Sequence, residues 1–138
     1  MSSRTLFVWL AAGLLLTSCQ KPVSKQLIGL WKVTQATEIR TVDNSSTTLP
    51  INGYDDYWMA FEENGICKVS DRSNTLSYQW YLIGDTTLLL VDYRSISLDY
   101  SLLELNNDRM LLENKISYRE GPDSTQVVSR QRLQLDKR

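Results

Sequence analysis

From Lys25 onward the pattern is that of β-strands, with apolar residues at every second position in several stretches. Leu76, Tyr78, Trp80 and Leu82 alternate with Ser77, Gln79, Tyr81 and Ile83. Met110, Leu112, Ile116 and Tyr118 alternate with Leu111, Glu113, Lys115, Ser117 and Arg119, and Tyr57, Met59 and Phe61 form a third row. Successive side chains of a strand point to opposite faces, so a period of two marks strands with one face buried. No stretch repeats at helical spacing, apart from a single turn expected near Ser24 to Leu27. Turn signals separate the rows at Glu62-Glu63-Asn64-Gly65, Gly84-Asp85, Asn106-Asn107-Asp108 and Glu120-Gly121-Pro122-Asp123. Asn, Asp and Gly tolerate the left-handed backbone angles of tight hairpins. The pattern predicts strands at 29–42, 55–62, 66–71, 75–83, 87–93, 96–105, 109–119 and 125–135, with Asn44 to Asn52 as one longer loop. Consecutive hairpin-joined strands predict an all-β, eight-stranded antiparallel up-and-down barrel, which has no exposed sheet edge. A β-sandwich is the alternative. Residues 27–138 read as one domain without internal repeats.

The first residues follow a different rule. Arg4 gives a positive start, and Leu6 to Leu16 is an unbroken apolar run of eleven residues. That length suits a signal-peptide core, whereas a membrane-spanning helix needs about 20 residues. The run ends in Leu16-Thr17-Ser18-Cys19, which resembles the lipobox of bacterial lipoproteins. The resemblance implies that residues 1–18 are removed and that Cys19 carries lipid, its thiol as a thioether to diacylglycerol and its amine acylated. Multiple acyl chains anchor durably where one does not. Residues 19–26 then form a polar tether. Its charges are Lys21 and Lys25, and the first acidic residue is Glu38. It lacks the acidic cluster that resembles a surface-export tag, which favours the periplasmic face of the outer membrane over surface display.

Charge and chemistry narrow the function classes. The formal net charge is −1, and −2 once Arg4 is removed with the signal. Nucleic-acid binders usually carry a basic face, so no nucleic-acid partner is expected. The chain contains no histidine, which excludes Ser-His-Asp and Cys-His catalysis and histidine metal sites. Cys67 is the one cysteine left after lipidation, so no internal disulfide can form, and it reads as a small, partly buried strand residue. Asp55-Asp56 and Glu62-Glu63 are adjacent carboxylates that a strand sends to opposite faces, so neither pair converges. No catalytic constellation, metal site or cofactor motif emerges, and the expectation is a non-enzymatic protein.

Gly29-Leu30-Trp31 enters the first strand after the short helical turn. Phe61-Glu62-Glu63-Asn64-Gly65, Tyr78 to Asp85 and a last strand bearing Arg130 and Arg132 follow. The ensemble resembles the small lipocalin-like lipoproteins of Bacteroides-group bacteria. The resemblance implies that Trp31 closes one end of the barrel and that an arginine of the last strand, Arg130 or Arg132, packs over it. Strand phase, however, turns both arginines outward if Val127, Leu133 and Leu135 face inward. The chain is shorter than larger lipocalins and lacks their disulfides.

An inward row of Tyr57, Met59, Phe61, Tyr78, Trp80, Tyr100, Leu112, Asn114, Ile116 and Tyr118 is expected either to line an apolar ligand pocket or simply to fill the interior. An eight-stranded barrel is just wide enough for either. The leading expectation is a lipid-anchored binder of a small apolar or amphipathic ligand, with tyrosine hydroxyls and Asn114 setting orientation. The second is a protein-interaction module (a periplasmic inhibitor, immunity protein or assembly partner) with a solid core. Its contacts would be the 43–54 loop and Trp58 or Tyr81. Asp85-Thr86-Thr87 and Asp123-Ser124-Thr125 match the short pattern for O-glycan attachment in Bacteroides-group bacteria, at Thr86 and Ser124.

Overall fold

The computed structural model describes residues 21–138. The signal-peptide reading of residues 1–18 and the lipidation reading of Cys19 lie outside the described residues. Pro22 opens a single helical turn, α1 (Val23–Leu27), where Lys25 and Gln26 donate backbone N–H groups to the Pro22 carbonyl at 2.9 and 3.1 Å. A helix this short is not stable alone. It is held by Leu27, which is fully buried, and by the Trp31 indole N–H, which donates to the Leu27 carbonyl at 2.7 Å. No helix among the described residues is long and apolar enough to cross a membrane.

Nine antiparallel strands follow: β1 (Gly29–Val42), β2 (Ser45–Pro50), β3 (Trp58–Phe61), β4 (Ile66–Ser70), β5 (Thr75–Ile83), β6 (Thr87–Val91), β7 (Ser97–Leu105), β8 (Arg109–Glu120) and β9 (Thr125–Lys137). Strand β1 pairs with β3 through Gly29 to Lys32 and with β9 through Trp31 to Val42. That double pairing closes β1 and β3 to β9 into the expected eight-stranded barrel, not a sandwich. The alternation read from the sequence holds because each inward row is buried: Met59 and Phe61, Met110 and Leu112, Leu133 and Leu135; Leu88 and Leu90, in an apolar run without alternation, are buried beside them. Each such side chain contributes about 1.5–3 kcal/mol when fully removed from water. Two bulges adjust the phase. One between Val33 and Gln35 lets both Val33 and Ala36 face inward, and one between Leu102 and Glu104 leaves Leu103 outside.

The segment expected as one long loop from Asn44 to Asn52 is instead mostly an additional strand, β2. Asp43 and Asn44 have φ of 46° and 64°, and Val42 pairs with Ser45 across them. Two successive positive φ values in a two-residue loop match the right-handed twist of the flanking strands. Strand β2 pairs with the far half of β1 and is exposed on both faces.

The wall is uneven in height. The far halves of β1, β8 and β9, with β2, form a four-stranded ribbon in the order β2-β1-β9-β8. It rises past the β4–β5 and β6–β7 hairpins. Glu38, Arg40 and Val42, Gln131, Ser129 and Val127, and Asn114, Ile116 and Tyr118 continue the inward face along it. Arg40 forms an ion pair with Glu120 across β9 near Val127, which is 1% exposed.

Candidate functional site

The barrel has a closed end and an open mouth. At the closed end, Leu27, Trp31, Met59, Leu88, Leu90, Met110, Leu112 and Leu135 are sealed from solvent. Trp80 packs edge-on against Phe61 at 5.9 Å and donates its indole N–H to the Glu62 carbonyl at 3.1 Å. The cation over Trp31 is Lys137, its Nζ 4.9 Å from the ring centroid. Neither Arg130 nor Arg132 takes that role. Both lie on the outer face, one strand residue out of phase with Leu133 and Leu135, and Arg132 pairs with Glu113 at 2.6 Å. Lys137 is in phase with Leu135 and directly opposite Trp31.

The mouth is lined differently. Tyr54, Tyr57, Tyr78 and Tyr100 are half-buried and pack against the upper side of the core. Tyr54 and Tyr57 meet edge-on at 5.0 Å. Burial first, then the neighbouring phenols of Tyr100, Tyr54 and Tyr78 and the Cys67 thiol, push the Tyr57 hydroxyl well above the ordinary tyrosine value. Burial, then Tyr54, Tyr78 and Cys67, push Tyr100 up to about 12. These phenols therefore stay protonated and able to donate. Among the described residues the one phenol with a hydrogen bond is Tyr81, on the outer face, to Gln79 at 2.8 Å. Above the tyrosines, Leu49, Leu76, Leu98, Ile116 and Tyr118 are exposed apolar side chains on inward-facing positions.

The ten-residue row from the sequence is thus on one face but not in one place. Met59, Phe61 and Leu112 belong to the filled core, and Trp80 borders it. Tyr57, Tyr78 and Tyr100 line the mouth. Ile116 and Tyr118 stand on the ribbon above it. The Asn114 amide donates to the Asp99 carbonyl at 2.8 Å, bridging β8 and β7 where their ladder ends at Ser101 and Glu113. That bond occupies the group expected to orient a ligand. Leu76, Leu98 and Lys137 were detectable in the sequence by phase with Tyr78, Tyr100 and Leu135; Leu49 and Tyr54 had no such signal.

Surface concavities border the mouth tyrosines as well as the closed end. A concavity of about 330 Å³ is lined in part by Ile66, Tyr78 and Val91. One of about 190 Å³ lies beside the first bulge, lined in part by Val33, Ala36, Ile51 and Tyr54. Another of about 450 Å³ lies at the closed end among Asn106, Asp108, Arg109, Asp136, Lys137 and Arg138. Its lining is polar and charged, unlike an apolar ligand site.

Cys67 is fully buried, and burial pushes its thiol up to about 12, with Glu62 adding in the same direction. Of the adjacent carboxylates, Asp56 pairs with Arg72 at 2.5 Å and Glu62 with Lys68 at 2.7 Å. No group of three or more His, Cys, Asp or Glu that could hold a metal occurs among the described residues. Thr86 and Ser124 both lie in exposed turns. Trp58 is half-buried and Tyr81 exposed, both on the outer face. Neither the protein-family models nor the curated proteins include a match to this chain.

Proposed function

We propose that this chain is a non-enzymatic binding protein of the bacterial envelope that takes a small apolar or amphipathic molecule at the barrel mouth. The observation that carries the reading is the tier of four half-buried tyrosines beneath an exposed apolar rim. Apolar ligand surface removed from water at the rim would supply affinity, at about 25 cal/mol per Å². Protonated phenols would donate to an oxygen-bearing head group. The packed closed end limits the ligand to the upper half of the barrel. In the same reading, lipid on Cys19 holds the protein on the periplasmic face of the outer membrane. Lys21 lies near Lys137 at the closed end, and a lipid two residues before it would leave the mouth facing away from the membrane.

Titration of the full chain with a lipophilic fluorescent dye tests the pocket. Binding is expected to quench tryptophan emission, with Tyr78→Ala and Tyr100→Ala each weakening it about tenfold (about 1.4 kcal/mol). Dye binding that neither substitution affects would remove the mouth as the site. Incorporation of labelled fatty acid, lost in Cys19→Ala, tests the anchor. The second reading, a protein-interaction module, is favoured by the filled closed end and by an open sheet edge on the ribbon.

A further inference from the structure

The barrel wall is split above Asn114. Strand β7 pairs with β8 only up to Ser101 and Glu113, and the Asn114 side chain takes the Asp99 carbonyl at that point. Beyond it, Lys115 to Glu120 of β8 are exposed and pair on one side only, with β9. The hydrogen-bond phase of β8 is fixed by two bonds at the beginning of that strand, and its pairing with β9 runs without a register shift to Glu120. Lys137 N–H donates to the Asp108 carbonyl at 2.8 Å, and Asn106 N–H donates to the Arg109 carbonyl at 2.9 Å. Even-numbered residues of β8 therefore bond to β9, and odd-numbered ones face the other way. At Lys115, Ser117 and Arg119 the backbone N–H and C=O groups point outward along an open edge.

The side chains along this edge sort by face. Ile116 and Tyr118 are exposed on the face continuous with the barrel mouth. Lys115 and Arg119 stand on the opposite face, and Lys115 lies directly across from Arg130 of β9. Like charges directly opposite each other destabilise a sheet. Among the described residues Lys115, Arg119 and Arg130 have no acidic partner, whereas their neighbour Arg132 is paired with Glu113.

We propose that the β8 edge from Lys115 to Glu120 is a docking site for an extended segment of a partner protein with alternating acidic and apolar residues. The segment would add as a further strand next to β8. Its apolar side chains would cover Ile116 and Tyr118, and its carboxylates would face Lys115 and Arg119 and relieve the repulsion at Arg130. A second copy of this chain fits less well. Antiparallel pairing of two β8 edges about Ser117 sets Lys115 against Arg119 twice. The outer edge of β2 (Ser45–Pro50) carries no charge to select a partner.

The test uses the full chain and a labelled peptide of about eight residues alternating valine and glutamate, a length typical of a strand. Fluorescence anisotropy should show binding at least about tenfold tighter than for the same residues arranged in two blocks, or for a valine–lysine alternation. Lys115→Glu with Arg119→Glu should reverse the preference between the glutamate and lysine peptides. Ser117→Pro removes an outward N–H without touching the β9 ladder, and should abolish binding of both while the circular dichroism spectrum is retained. Equal binding of the block peptide, undiminished binding by Ser117→Pro, or no binding at all would each overturn the proposal. A concentration-dependent dimer lost in Ser117→Pro would replace it with self-pairing.

Discussion

The Lys137 ammonium lies over the Trp31 ring at 4.9 Å and also donates to the Gln26 carbonyl at 3.0 Å, so the last strand fastens both the first strand and the helical turn. Burial, together with Lys21, holds Lys137 below the ordinary lysine value, with Asp108 opposing. The favourable contacts therefore work against a desolvation cost, and the aliphatic stem supplies much of the benefit. Lys137→Met is expected to change stability by less than about 1 kcal/mol, and Lys137→Ala to cost about 1–2 kcal/mol, in urea unfolding. Equal losses in the two variants would mean that the charge, not the stem, is what matters.

Gly29 has φ of +133°, and a Cβ there would sit 2.7 Å from Cε of Lys137. Gly29→Ala therefore combines backbone strain with a clash, at a cost of about 1–3 kcal/mol. In a Lys137→Ala background the clash disappears and the backbone strain remains. The urea midpoint of the double variant should therefore lie above that expected from adding the two single losses.

Three weak acids, one buried and two half-buried, titrate late in the folded protein. Cys67 and Tyr100 are raised to about 12 and Tyr57 is raised further, all mainly by burial. Each raised value favours the protonated folded state over an unfolded chain that ionises near pH 9–10. Their contribution is complete below about pH 9 and is lost as pH rises through the folded values. The melting temperature should fall from pH 9 toward pH 12, and Tyr57→Phe with Tyr100→Phe should flatten that decline.

The Cys67 thiol is both enclosed and held protonated. Since the thiolate is the reactive species, iodoacetamide at pH 8 should label native protein far more slowly than protein in denaturant. Comparable rates would place Cys67 on a readily opened part of β4.

Strand phase made the fold legible. Met59, Phe61, Leu112 and Leu133 fall on the interior because alternation and burial are the same constraint in a one-faced sheet, whereas the unbroken run Leu88-Leu89-Leu90-Val91 carries no phase to read. Strand β2 escaped because Ser45 to Thr48 carry no apolar alternation. Its signal was the Asp43-Asn44 pair, whose tolerance of positive φ fixes the hairpin. The candidate site was legible by face but not by depth. Phase alone cannot distinguish Leu112 in the sealed core from Tyr118 on the ribbon, because depth depends on where neighbouring strands stop. Asn114 illustrates the same limit: its partner, the Asp99 carbonyl, is freed by a ladder that ends early. The Trp31 cation was misassigned because the contact is set by direct cross-strand pairing with Lys137, two residues past the last apolar position.

The seam that closes the barrel joins Trp31–Val42 to Val127–Lys137, near the two ends of the described chain. Contacts separated by most of a chain form only after a large loss of loop entropy, and proteins dominated by them fold in milliseconds to seconds. Closure must therefore wait for the last strand to be available. Until then β1 and β9 each present an open hydrogen-bonding edge, leaving an interval in which misassociation competes with folding. The fastening at Trp31 and Lys137 is then a late event, and substitutions there should speed unfolding more than they slow folding.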